Sequence, residues 1–137
     1  MATAIELAAL ATRSTTTAGG GAVQPYEVET IAQGAAVDLD ATAADERVVN
    51  LALTRERVDN GLHAPILEVA IEASAESVGP WTEVARFTRC QPGDYQGVEE
   101  IGFVSPSRYI RATWRIGQRD AGVGKSSVRF GVAGKKS

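Results

Sequence analysis

The sequence predicts an all-β protein: an antiparallel β-sandwich of about six to eight strands, jelly-roll or Ig-like, with an extended N-terminal arm. Its 137 residues fit one domain with a short appendage. Several stretches alternate apolar and polar residues, and no long amphipathic helix is evident. Only 6% of the residues are aromatic, which indicates a thin core of medium-sized side chains. We therefore expect residues 1–34 to form the arm or a loop and residues 35–137 to form the sandwich.

The clearest strand pattern begins at Leu67 and ends at Ser74. One face of it is apolar, at Leu67, Val69, Ile71 and Ala73, and the other carries Glu68, Ala70, Glu72 and Ser74. Trp81, Val84 and Phe87 follow the next turn without sharing one period-two face. This spacing predicts either a β-bulge or a late entry of the chain into the strand after the turn.

A second strand pattern begins at Tyr109, and its apolar face is predicted to line the core. That face consists of Ile110, Ala112, Trp114 and Ile116, whereas the other face carries two arginines. If this strand neighbours the one that carries Glu68 and Glu72, the arginines pair with those carboxylates across the strands. Each such pair would contribute only a few tenths of a kcal/mol.

Three more stretches complete the predicted sheets. Val49, Leu51 and Leu53 share one face of a strand, a short strand runs from Glu99 to Val104, and Val128, Phe130 and Val132 form the last one.

The N-terminal residues leave two local structures open. The alternation around Ile5 and Leu7 permits a strand, but a short helix fits equally well. Residues 13–30, RSTTTAGGGAVQPYEVET, contain a run of three threonines followed by three glycines and therefore have high backbone freedom. We interpret residues 1–34 as an arm that orders against a partner, with a long surface loop as the alternative.

The residues predicted to contact a partner are two apolar residues of the arm and two tyrosines in turn-rich segments. They are Ile5, Leu7, Tyr26 and Tyr95. If the arm only binds a partner, deleting residues 1–24 leaves a folded domain with weaker association.

No catalytic constellation is evident, and we expect no enzyme activity and no cofactor. His63 is the only histidine and follows the turn formers of residues 59–61, while Cys90 is the only cysteine and has no obvious activating base. The chain has no G-x-S-x-G sequence. Gly124, Lys125 and the next serine resemble the end of a P-loop, but Arg119 stands where that motif requires a glycine.

Charge and hydropathy exclude further classes of function. The net charge of −3 gives no general attraction to nucleic acid. Asp38 and Asp40 form an Asp-x-Asp sequence, but the glycine and the terminal glutamate of an EF-hand loop do not follow it, so the pair predicts a solvated strand edge and we expect no metal site. No stretch is apolar enough to span a membrane, and the N-terminus is a poor signal peptide. We expect a protein that acts without nucleic acid, membrane or secretion.

The two strongest stretches together resemble a known class of proteins. LEVAIEASAESVGPWTEVARF (67–87), SRYIRATWRI (107–116) and the last strand, VRFGVAG (128–134), are similar to small β-sandwich virion proteins of tailed bacteriophages. This resemblance of pattern covers about residues 35–134. It implies a capsid decoration or minor capsid protein bound to the major capsid protein, or a head-tail connector or tail component bound to connector subunits. It also implies self-association in a symmetric assembly, formed in the host cytoplasm and present in the virion.

The same W-T-x-V and R-Y-I-R elements resemble discoidin-type, galactose-binding jelly rolls. That resemblance implies a carbohydrate-binding module as an alternative function. The chain departs from these modules because it is short for a full jelly roll. It also has no cluster of loop aromatics on which a sugar would stack.

Overall fold

The computed structural model describes residues 3–14, 19–20, 29–41, 46–56, 65–89, 97–118, 123–124 and 127–137. Every regular element in these segments is a β-strand, as predicted. The strands are β1 (Thr3–Ser14), β2 (Gly19–Gly20), β3 (Glu29–Gln33), β4 (Val37–Asp38), β5 (Val48–Glu56), β6 (Pro65–Ser74), β7 (Thr82–Arg86), β8 (Gly97–Val104), β9 (Tyr109–Gln118), β10 (Val123–Gly124) and β11 (Ser127–Lys136). The described segments contain no helix that is long and apolar enough to cross a membrane.

The strands form two antiparallel sheets that pack as a sandwich, which confirms the predicted fold class. The front sheet has the order β1-β11-β5-β8, and the back sheet has the order β3-β9-β6-β7. β4 also pairs with β9, on the side that β3 uses, so β3 and β4 share one strand position. β2 and β10 form a separate two-stranded ribbon. The larger sheets thus agree with the predicted six to eight strands.

The core lies between the sheets and is built from the faces that the alternation predicted. Leu51 and Leu53 on β5 and Ile71 on β6 are each at most 1% exposed. The rings of Phe130 on β11 and Trp114 on β9 pack in a T-shaped arrangement, with 5.5 Å between centroids and an interplanar angle of 74°. Burial of each large apolar side chain contributes about 1.5–3 kcal/mol. These facing side chains hold the two sheets together.

β7 contains a bulge, which is one of the two irregularities that the sequence predicted. Ile71 of β6 pairs with Ala85, whereas the next residue of β6, Glu72, pairs with Glu83. Val84 is therefore the extra residue that interrupts the period-two pattern. The chain returns to the core at Phe87, which is 2% exposed and donates its backbone N–H to the carbonyl of Val69.

Two residues on the outer face of β6 are buried, although their pattern predicted exposure. Ala70 is 6% exposed because it lies between the longer side chains of its cross-strand partners, Arg86 and Thr113. Ser74 is 3% exposed, and its hydroxyl accepts a hydrogen bond from the backbone N–H of Glu76. Alternation predicts the face of a residue but not how far longer neighbours cover it.

The N-terminal segment contributes a strand of the front sheet. β1 pairs antiparallel with β11 from one end to the other, and Leu7 is only 3% exposed. A Cβ on Gly34 would overlap the carbonyl oxygen of Leu7, so this glycine permits the close approach of β1 to the segment after β3. Of the two local structures that the sequence left open, β1 adopts the strand.

The sheets do not follow the predicted division into an arm at residues 1–34 and a sandwich at 35–137. β1 belongs to the front sheet and β3 to the back sheet. The physical reason is that the apolar face around Leu7 is buried against the core while the β1 backbone bonds to β11. The glycine- and threonine-rich residues 15–18 and 21–28 lie outside the described part of the chain.

Candidate functional site

The predicted contact residues fall into two groups. Leu7 is a core residue, and Ile5 is partly buried and packs against the same core. Tyr26 and Tyr95 lie outside the described residues. For Leu7, burial within its own chain competes with a direct contact to a partner.

Most of the other residues that the sequence analysis discussed as possible catalytic or turn residues lie outside the described segments. His63, Cys90, Lys125 and the tight turn at 59–61 all belong to this group. Within the segments that the structure describes, no group of three or more His, Cys, Asp and Glu residues is arranged to hold a metal ion.

The acidic pair at the end of β4 is bound by arginines. Both carboxylate oxygens of Asp38 accept hydrogen bonds of 2.8 Å from Arg108, and those of Asp40 accept bonds of 2.9 and 2.8 Å from Arg47. These hydrogen bonds lower the pKa of both carboxyl groups from the ordinary value. Each arginine occupies its carboxylate bidentately, so the pair links β4 to the segments before β5 and β9.

The outer face of the back sheet carries the predicted cross-strand ion pairs. Arg111 on β9 donates to Glu72 on β6 at 2.8 Å, and its guanidinium lies 4.4 Å from the ring centroid of Trp81. Glu68 lies within 4 Å of three arginines, Arg86, Arg89 and Arg115. The expectation that arginines of this strand face Glu68 and Glu72 is confirmed, because β6 and β9 are neighbours with these residues in register.

Arg13, at the end of β1, is a structural residue that sequence reasoning missed. Its guanidinium lies 4.8 Å from the ring centroid of Trp114 and 4.5 Å from that of Phe130. It also donates hydrogen bonds to the carbonyls of Phe130 and Ala9 at 2.7 and 2.8 Å. Partial burial lowers the pKa of this arginine. Arg13 fastens β1 to the core, and no local sequence signal identifies its distant partners.

The outer face of the front sheet differs from the charged face of the back sheet. Several cross-strand neighbours at its centre have small side chains. Ala52 of β5 lies between Ala133 of β11, which is also small, and Glu100 of β8. In the next row, Asn50 lies between Lys135 and Gly102. This face is therefore flat and lightly charged at its centre.

Three of the four sheet edges carry features that hinder pairing with another strand. β1 has two register irregularities along β11, and the five-residue β7 has its bulge. On the remaining back-sheet edge, β3 and β4 are short and are separated by residues 34–36. Bulges and short strands are common means by which proteins protect an exposed edge.

β8 forms the fourth edge, and within the described part of the chain it has neither a bulge nor a break. It pairs with β5 without interruption from Gly97 to Val104, and no described strand pairs with its other side. Its sequence, GVEEIGFV, contains no proline and no lysine. Val98 and Val104 are 60% and 69% exposed, and they are two of the most exposed large apolar residues in the described segments. A long, regular edge with two exposed valines is suited to pairing with another strand.

Comparison with known proteins gives only weak likenesses. No family model matches the chain, and a search of curated proteins finds no match. Among solved structures, infectious bursal disease virus Gx strain aligns with 99% of this chain and 30% of its own, at 12% identity and a TM-score of 0.48. The VP2 subviral particle of infectious bursal disease virus aligns with 99% of this chain and 32% of its own, at 12% identity and a TM-score of 0.42. The T=1 particles derived from infectious bursal virus align with 98% of this chain and 31% of their own, at 14% identity and a TM-score of 0.37.

This chain thus spans only about a third of the length of those viral chains. The sequence identities and the TM-scores are too low for these likenesses to indicate a function, so the function proposed below is based on the residues of this chain.

Proposed function

We propose that this chain is a non-enzymatic structural protein of a tailed-phage virion, attached to the major capsid protein as a decoration or minor capsid protein. The observation that carries the proposal is the unprotected edge of β8, with Val98 and Val104 exposed. The resemblance of residues 67–87 and 107–116 to small phage virion proteins points to the same role. Assembly would occur in the host cytoplasm, and the protein would stay in the virion.

Three of the described carboxylates take part in structural ion pairs. Asp38, Asp40 and Glu72 each bind an arginine at hydrogen-bond distance, so their carboxylates are oriented by structural contacts. The backbone groups on the free side of β8 are not bonded to any described strand, so this edge has unmet hydrogen-bonding capacity. We therefore propose that backbone hydrogen bonding at an edge contributes more to attachment than any single side chain.

The second location that we consider is the head-tail connector or the tail. A sandwich with a free edge suits a small symmetric ring as well as a capsid lattice, since both are built from repeated subunit contacts. The two locations differ in copy number, which makes them separable by counting.

A carbohydrate-binding role is less favoured by the aromatic residues of the structure. Arg111 stacks on Trp81, and Arg13 lies against Trp114. Sugar-binding modules use aromatic faces that are open to the ligand. Binding of a glycan array by the isolated protein would favour this alternative over a virion role.

Quantitative mass spectrometry of purified particles tests the proposal. Particles should be collected from cells that carry the gene and separated from soluble protein on a density gradient. A copy number close to that of the major capsid protein supports decoration, whereas about six or twelve copies place the protein at the connector or tail. Absence of the protein from particles, with the protein retained in the soluble fraction, would contradict a virion role.

A further inference from the structure

We propose that β8 pairs antiparallel with β8 of a second copy of this chain, so that two front sheets form one continuous sheet across a two-fold axis. This inference goes beyond the proposed function, because it concerns the free protein. Before attachment, the unprotected edge is occupied by the same edge of another molecule, and attachment to a capsid subunit replaces this partner.

The backbone of β8 determines which residues can make the new hydrogen bonds. Ser105, just after β8, donates its N–H to the carbonyl of Arg47 at 2.9 Å, and the register places these two residues opposite each other. In an antiparallel pair, hydrogen-bonded and non-hydrogen-bonded residue pairs alternate. The odd-numbered residues of β8 therefore bond to β5. The even-numbered residues direct N–H and C=O groups away from β5, and they are Val98, Glu100, Gly102 and Val104.

One register satisfies all four of these residues. A two-fold axis at Ile101 places Val98 opposite Val104 and Glu100 opposite Gly102 of the second copy. Each of the four opposed pairs then exchanges two hydrogen bonds, about eight in all. The exposed valines cover each other, and Glu100 faces a residue without a side chain. The sequence of β8 is self-complementary in this register.

The neighbouring registers are worse for identifiable reasons. An axis at Glu100 would place the two Glu100 carboxylates directly opposite each other, and like charges in that position are destabilising. An axis at Gly102 would place Pro106 opposite Val98, and a proline has no N–H to donate. The register centred on Ile101 avoids both defects.

Each proposed variant changes the free edge and leaves the ladder to β5 intact. Val98→Lys puts a charge on the interface at two symmetric places, which is a common device against edge pairing. Its matched control is Val78→Lys, because Val78 is 84% exposed and lies in the turn between β6 and β7. Glu100→Pro removes an N–H that points away from β5, and proline is tolerated at such edge positions.

The oligomeric state of the full chain is measured by sedimentation equilibrium and by light scattering over a range of concentrations. We expect a reversible dimer for the wild type and for Val78→Lys. Glu100→Pro should weaken dimerisation about thirtyfold, because each dimer loses two hydrogen bonds. Val98→Lys should weaken it at least about tenfold. Far-UV circular dichroism verifies that each variant is folded.

Disulfide trapping tests the register in a Cys90→Ser background. Ile101→Cys places two thiols across a non-hydrogen-bonded pair, where the Cα atoms are about 4.5 Å apart, within reach of a disulfide. Glu100→Cys is the control, because its two copies lie diagonally, with Cα atoms too far apart to be bridged. A covalent dimer for Ile101→Cys and none for Glu100→Cys supports the register.

Two results would overturn the inference. One is a wild type that remains monomeric at every concentration. The other is a dimer whose stability is unchanged by both Val98→Lys and Glu100→Pro. Either result concerns only the free protein, so it is distinct from absence of the protein from particles, which would contradict the proposed function.

Discussion

Replacing Leu7 by alanine tests whether β1 is an integral strand of the sandwich. Leu7 is 3% exposed and belongs to the core cluster, together with residues of both sheets. Removing a buried leucine side chain costs about 2–5 kcal/mol, because the apolar contacts are lost and a cavity remains. A domain of this kind has a total stability of about 5–15 kcal/mol. Leu7→Ala should therefore remove a large fraction of the free energy of unfolding.

The matched control is Leu10→Ala on the same strand, because Leu10 is 40% exposed. We expect it to cost less than about 1 kcal/mol, since a half-exposed side chain loses little burial. Urea unfolding, followed by circular dichroism and tryptophan fluorescence, measures both variants. Equal small effects for Leu7 and Leu10 would refute our account of β1 and restore a free arm at the N-terminus.

Deletion of residues 1–24 extends the same test. The deletion removes β1 from β11, exposes the core around Phe130 and eliminates the contacts of Arg13. We expect an unfolded or aggregating protein, measured by the loss of a cooperative thermal transition. A truncated chain that unfolds cooperatively like the wild type would contradict this expectation and fit a dispensable arm.

Three further predictions concern side-chain contacts. A double-mutant cycle with Arg111→Met and Glu72→Gln should give a coupling free energy of about 0.2–1 kcal/mol in urea unfolding, and zero coupling would contradict the ion pair. Arg13→Met should lower the free energy of unfolding by about 1–3 kcal/mol through loss of cation–π contacts and hydrogen bonds, and an unchanged urea midpoint would argue against them. The pKa values of Asp38 and Asp40 are lowered in the folded state, so their contribution to stability is present above the ordinary pKa of 3.8 and is lost as the pH falls below it. The urea midpoint should decrease between about pH 4 and 3, and less steeply in Asp38→Asn/Asp40→Asn; identical slopes would contradict this assignment.

Much of the fold could be predicted from local alternation. The buried faces of β5, β6 and β9 are those that the sequence indicates, because a period of two separates the core face from the outer face. The spacing of Trp81, Val84 and Phe87 predicted an irregularity in this strand, which is the bulge at Val84, and the charges of β6 and β9 were expected to pair if the two strands were neighbours, as they are. These features depend on residues close in sequence or on two strands whose charges match.

The features that sequence reasoning missed depend on contacts between distant residues. Arg13 binds the carbonyl of Phe130, which is 117 positions away, and no local pattern specifies that contact. The strand at Ile5 and Leu7 was ambiguous because its burial depends on β11 from the other end of the chain. The unpaired side of β8 follows from the strand order, although its lack of proline and lysine was visible in the sequence.

The most direct test of a virion role is a pair of particle reconstructions by electron microscopy, made with and without the gene for this chain. Both samples should come from the same host and purification. We expect the difference map to contain density for a two-layered β-sandwich, repeated with the symmetry of the capsid or the connector. Identical maps, with the chain recovered only from the soluble cell fraction, would contradict our proposal that it is a structural protein of the virion.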